Sequence, residues 1–319
     1  MDTQSPEHAQ CMADLTVGDL ERLLFEVYPA SDALYDDRNG LLVGDPLAKV
    51  GSIAIALDAM VDTIEVAAAY GCNVLITHHP VFWNPPTLFL REVGTNSANG
   101  AAQLSAAAVY RAAEKGVALI SMHTNLDCAP SAADMLLGPV GYEYVAPLAL
   151  PSELTPDLTA HPTSAQAGVP KLTREPQQRV AGFGQLGKPR TCDRSSPSQP
   201  ATLEELAQRY VEVFGAVAKV WGDPATSIEV LATCSGGGGE LVDRVIASHA
   251  DCYVTGEVRY HEALELASAG VALIELGHDR SEAPYRYYLQ DTLLGLGFDA
   301  ARIHIIELLT SWWQPERSS

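Results

Sequence analysis

Short apolar, β-branched runs alternate with segments of helical period along most of this chain, and that alternation constrains its fold more than any other feature. Residues 49–57 and 73–77 read as strands, and residues 61–70 between them carry apolar side chains at helical spacing and stop at Gly71. Residues 101–115 are alanine-rich and helical, Gly116 ends them, and residues 117–122 form a third strand. A strand–helix–strand–helix–strand order predicts a parallel sheet, because each parallel neighbour needs a crossover.

The pattern breaks between Pro151 and Pro200, where Pro, Ser, Thr and Gln dominate and only residues 179–186 could add a strand. It then resumes. Thr202 and Glu205 stand at capping-box spacing ahead of a helix running to about Phe214. Strands at 227–234, 251–255, 271–276 and 302–308 alternate with helices at 240–248, 259–268 and 282–294. The expected architecture is α/β: two similar lobes with mostly parallel sheets, residues 14–150 and 201–319, joined by a Pro/Ser-rich linker or insertion at 151–200.

With 319 residues, 47% of them hydrophobic, the chain is large enough for two ordinary cores. Its net charge of −20, from 40 acidic and 20 basic residues, offers no cationic footprint for nucleic acid or anionic lipid. Six cysteines without a C-x-x-C pair indicate neither a disulfide framework nor a zinc knuckle, so a reducing compartment fits. The polar, acidic start lacks the marks of a secretory or transit signal, and no segment is apolar enough to cross a bilayer. A cytoplasmic location is expected.

Ligands in open α/β sheets bind beyond the carboxyl ends of the strands, and here those ends carry metal-binding side chains. His78 and His79 follow the second strand directly, His123 and Asp127 follow the third, and His278 and Glu282 follow the strand at 271–276. Four residues apart at a helix start, His278 and Glu282 project from one face and can grip one ion. Successive side chains on a straight strand point to opposite faces, so the rings of His78 and His79 either diverge toward two ions or bend around a turn at Pro80. Glu257 and His261 share the i, i+4 spacing and compete with the later pair. The run from Ser235 to Gly239 before a helix either cradles a phosphate or makes a tight turn; it lacks the lysine of a P-loop. Trp312 and Trp313 read as packing or subunit-contact residues.

Thr77-His-His-Pro, Thr124-Asn-Leu-Asp127, Ser235-Gly-Gly-Gly-Gly-Glu240, Thr255-Gly-Glu-Val-Arg-Tyr-His261 and Gly277-His-Asp-Arg-Ser-Glu282 resemble, in order, the signatures of NIF3-like proteins, also called GTP cyclohydrolase 1 type 2 homologues. The resemblance covers nearly the whole chain outside 151–200, an interval too short for the complete extra domain that some members insert. It implies a dinuclear metal centre held by His78, His79, Asp127, His278 and Glu282, with Glu282 as the bridge. Mixed imidazole and carboxylate donors accommodate two divalent ions of zinc, iron, manganese or cobalt. His123 and Glu257 are the candidate proton-transfer residues, Glu257 standing at the rim. The implied activity is hydrolysis of a small molecule, with nucleotides and phosphoesters the first classes to consider, by a metal-bridged water. The implied assembly is a homohexamer built as a trimer of dimers. A metal-binding scaffold or regulatory module that interacts with another protein is the alternative reading.

Overall fold

The computed structural model describes residues 14–89, 100–154, 180–190, 200–307 and 312–313. Much of the expected linker, residues 155–179 and 191–199, lies outside the described residues. The chain divides into two compact units that are discontinuous in sequence: Met1–Glu21, Leu41–Ser121 and Leu289–Ser319 form one, Arg22–Gly40 and Met122–Tyr288 the other.

The first unit is built on strands β1 (Gly40–Val43), β2 (Ser52–Ala56), β3 (Cys72–Thr77), β4 (Ala118–Ser121) and β11 (Ile303–Ile305), ordered β1-β4-β3-β2-β11. β11, β2, β3 and β4 run parallel, with Ile55 beside Ile76 and Ile76 beside Ile120. Helices α2 (Val61–Ala69) and α3 (Gly100–Lys115) are the crossovers that parallel pairing requires. Ala54, Leu75 and Leu119 share a core with Ile64, Ala67, Ala108 and Ala112 of those helices. Ile53, Ile55, Val74, Ile76 and Ile120, alternating with them along the strands, are equally buried. Burial on both faces explains why these strands read as continuous apolar runs. Helix α1 (Val17–Val27) and strand β1 lie where the sequence reading proposed no element.

The second unit holds a six-stranded sheet ordered β5-β6-β8-β9-β10-β7, from β5 (Tyr142–Ala149), β6 (Phe183–Pro189), β7 (Lys219–Trp221), β8 (Leu231–Gly237), β9 (Cys252–Glu257) and β10 (Ala272–Glu275). Only β8–β9 and β9–β10 are parallel; β5–β6, β6–β8 and β10–β7 are antiparallel. The expectation of mostly parallel sheets therefore fits the first unit but not this one. Alternate residues again feed two cores. Ala232, Cys234, Tyr253 and Leu273 face one, and Leu231, Cys252, Val254, Ala272 and Ile274 face the other. Its helices include α4 (Thr124–Asp127), α5 (Leu203–Phe214), α6 (Val242–Ala247), α7 (Tyr260–Ser268) and α8 (His278–Glu282); α9 (Tyr285–Gly295) follows in the chain.

Two boundaries differ from the reading at 150 and 201. The last strand, β11, pairs with β2 of the first sheet, and β5 pairs with β6 of the second. Strand partnership is settled by which edges meet in three dimensions, and a linear scan of hydrophobic period carries no information about it.

Local signals were obeyed more closely. Thr202 caps α5: its hydroxyl accepts from Glu205 N at 3.3 Å, Glu205 accepts from Thr202 N at 3.0 Å, and Gly215 ends the helix in the left-handed conformation. Thr202→Ala is expected to lower stability by about 1 kcal/mol, as is usual for loss of a threonine cap. An unchanged urea midpoint would show that the box adds nothing here.

Candidate metal centre

In the first unit, the chain leaves β3 at Thr77 and passes directly through His78 and His79. Thr77 Oγ1 donates to His79 O at 2.7 Å, Ser121 Oγ donates to His78 O at 2.9 Å, and His79 N donates to Leu57 O at 2.9 Å. These bonds turn the backbone out of strand geometry, so the rings do not take opposite faces. Their centroids are 5.1 Å apart, and a ring nitrogen of each lies within 4.8 Å of the other's. His78 is fully buried. Asp58, just beyond β2, sits 2.8 Å from His79 Nδ1, which leaves Nε2 as the ligating atom.

In the second unit, three donors converge. Gly277, at φ +91°, turns the chain from β10 into α8, whose first and last residues are His278 and Glu282. Their i, i+4 placement sets His278 Nε2 3.3 Å from Glu282 Oε1. A carboxylate oxygen of Asp127, at the end of α4, lies within 4.8 Å of one from Glu282. Glu282 is buried, with a side chain 5% exposed. Two carboxylates this close, one out of solvent, repel unless a proton or cation stands between them.

The surrounding residues fit that arrangement. Asp127 Oδ1 accepts from Tyr285 OH at 2.7 Å and Ser235 Oγ at 2.9 Å. Burial first, and the Asp127 charge second, hold the Tyr285 phenol well above its usual range, so it remains a donor. Gly236, at φ +60°, brings its backbone against α8, where a Cβ would overlap Glu282 Oε1 and press on His278 Nε2. Its nitrogen donates to Ser281 Oγ at 2.9 Å. Gly239 lies against the Glu262 carboxylate, 2.6 Å from where a Cβ would stand. The run is thus the end of β8 and the turn after it, close-packed at Gly236 and Gly239, and at Gly239 its neighbour is an anion.

Glu257 ends β9 and places Oε1 3.1 Å from His278 Nδ1. It is exposed, as a rim residue would be, and it orients His278, while His261 is exposed on α7. His123 Nδ1 is 2.6 Å from Asp37 Oδ1, and the Asp37 side chain is 2% exposed. Burial alone would raise the Asp37 pKa. Hydrogen bonding to His123, the His123 charge, and hydrogen bonds from Thr124 and Asn39 together outweigh burial and hold it far below the usual carboxylate range. Burial, followed by the Asp127 charge, pushes the Cys128 and Cys234 thiols up, so neither offers a thiolate. Trp312 and Trp313 are exposed and do not pack in the core.

A sequence profile for Duf34/NIF3, NGG1p interacting factor 3, matches residues 15–308. The chain belongs to the NIF3 family. It is 29% identical to a Streptomyces coelicolor protein named GTP cyclohydrolase 1 type 2 homolog, over 91% of this chain and 93% of that one. A Clostridium acetobutylicum protein of the same name is 26% identical, with 85% and 86% covered. Staphylococcus aureus protein SA1388 shares the fold with a TM-score of 0.72 at 20% identity, over 95% of this chain and 100% of that one. A Bacillus cereus protein related to NIF3 gives 0.71 at 19%, over 94% and 99%.

The sequence of this NIF3 chain does not single out Asp37, Asp58 or Tyr285, and it marks Ser235 only as the start of the glycine run. Asp58 had a signal, since it follows a strand end as the chosen histidines do. Asp37 had none, standing in a polar turn 86 residues before its histidine partner. Because the folded-state pKa of Asp37 is depressed, the stability it contributes is fully present above its unfolded value near 4 and is lost as pH falls toward the folded one. The gap in unfolding free energy between the native chain and Asp37→Asn is therefore expected to narrow as pH falls below about 4. A gap that widens below about pH 4 would contradict this charge state.

Proposed function

We propose that this NIF3-family chain is a metal-dependent hydrolase with a dinuclear centre built on Asp127, His278 and Glu282. The observation that carries the reading is the convergence of these three donors, with Glu282 within 4.8 Å of each of the other two. That central position suits Glu282 to be a shared carboxylate. Following the family resemblance, His78 and His79 supply the remaining nitrogens. The residues present fit divalent ions, because imidazole and carboxylate donors suit zinc, iron, manganese or cobalt, and because the Asp127–Glu282 pair calls for positive charge.

Such ions supply Lewis acidity and lower the pKa of water. The protein's own groups do the rest. Tyr285 and Ser235 hold Asp127 in place, Glu257 fixes His278 through Nδ1, and His123 accepts a proton at Nε2.

The name carried by the bacterial relatives points to a guanine nucleotide as substrate. The cleft of about 540 Å³ beside Glu257 is a poor place for its phosphates. Glu240, Glu257 and Glu262 line it against a single cation, Arg259, so it favours a neutral or cationic portion of a substrate. The family resemblance also supports a homohexamer, which light scattering tests.

Metal-replete protein is expected to hold two divalent ions per chain by elemental analysis and to hydrolyse a member of a nucleotide and phosphoester panel. Asp127→Ala and Glu282→Ala are each expected to lose both ions and all turnover. Retention of two ions by either variant would overturn the assignment, and ions bound without turnover of any substrate would favour the scaffold reading.

A further inference from the structure

The structure holds one carboxylate–imidazole couple unlike the others. His79 and His278 each meet a carboxylate at Nδ1, but those acids, Asp58 and Glu257, are 51% and 63% exposed. Asp37, facing His123, is 2% exposed and is enclosed by donors. Its Oδ1 accepts from Arg38 N at 2.7 Å and faces His123 Nδ1 at 2.6 Å. Its Oδ2 accepts from Thr124 N at 3.0 Å, Asn39 Nδ2 at 2.9 Å and the Thr124 hydroxyl. Asn39 Oδ1 in turn accepts from His123 N at 2.8 Å, and Thr124 Oγ1 accepts from Leu34 N at 2.8 Å. The carboxylate thus grips the ring and the backbone on which the ring stands.

From this geometry we infer that Asp37 is a positioning residue that locks His123 as the Nδ1–H tautomer, so that Nε2 carries the lone pair used to accept a proton. A buried, ionised carboxylate with five donors around it is acceptor-only, so the imidazole must donate at Nδ1. In the hydrolysis proposed above, on which this catalytic consequence rests, the proton leaving the attacking water moves to Nε2. Nδ1–H stays in place, and the imidazolium so formed lies against the Asp37 charge, which stabilises it at short range.

The same donors predict what an amide would do at this position. Three of the five donors converge on Oδ2 and two, Arg38 N and His123, on Oδ1, so the carbonyl oxygen of Asp37→Asn settles at Oδ2 and its NH₂ falls at the place of Oδ1, giving up only the Arg38 bond. His123 must then accept at Nδ1 and carry its proton on Nε2. The substitution inverts the tautomer while nearly conserving shape.

Nitrogen-15 NMR of the histidine rings in chelator-treated protein at pH 8 tests this, with His123 assigned by its disappearance in His123→Gln. In the native chain, Nδ1 is expected at a protonated, pyrrole-type shift and Nε2 at an unprotonated one. Asp37→Asn is expected to exchange the two, and Asp37→Glu to restore the native order. A native His123 protonated at Nε2, or an Asp37→Asn variant with unchanged shifts, overturns the inference; the first measurement suffices even if the variants fold poorly. Because metal-free protein is read, loss of the hydrolase reading would leave this result standing. Where turnover is found, Asp37→Asn is expected to lower kcat on the order of 10²-fold or more with KM nearly unchanged. An equal kcat in the two proteins would remove His123 from proton transfer.

Discussion

A glutamate carboxylate taken out of water and set beside a second carboxylate is the constraint on which the rest of the candidate centre depends. Glu282 is held there by its own short helix, four residues from His278, and by the Gly236 backbone, which leaves no room for a side chain. Nothing in folding rewards that placement by itself. Burying an acid near another acid costs several kcal/mol unless something positive compensates. The elements around it, a positive-φ glycine before α8, a serine bonded to the Gly236 backbone, and two hydroxyls fixing Asp127, keep the donors where a cation would offset their repulsion.

Carboxylates also act one step removed from this centre. Asp58, Asp37 and Glu257 each address the Nδ1 atom of a histidine, His79, His123 and His278 respectively. Repetition of this pairing gives three imidazoles the same working nitrogen, Nε2. It also accounts for part of the chain's acidity, since each of these imidazoles brings an acid with it. Burial then separates their duties. The two exposed acids steer rings that water can still reach, whereas enclosed Asp37 fixes both a ring and the turn leading into α4.

The relation between the sheets and these side chains follows the general rule for α/β folds. His78, Glu257 and His278 all stand just past, or at, the carboxyl end of a parallel strand, where the hydrogen-bond ladder stops and the backbone becomes free to turn. The second unit departs from a pure parallel design by adding β5, β6 and β7 in antiparallel pairing. Those strands extend the sheet and its two cores without carrying any of the candidate ligands.

Elements whose signals are local could be read from the order of residues alone. Alternation of apolar period gave β2, α2, β3, α3 and β4 to within three residues at each end, the capping box gave the start of α5, and the His-His, His-x-x-x-Glu and Asp127 positions stood out because polar donors followed apolar strands. Strands β1 and β7, four and three residues long, were not legible because the hydrophobic period has no length over which to show, whereas α1 and β5, eleven and eight residues long, were passed over although they are long enough to carry one. Only the tertiary structure decided which sheet each outer strand joined, that the rings of His78 and His79 lie side by side, and that Asp37 meets His123. Those outcomes depend on contacts between residues tens to hundreds of positions apart, and a one-dimensional pattern of polarity records what a residue prefers to be near without recording which neighbour it finds.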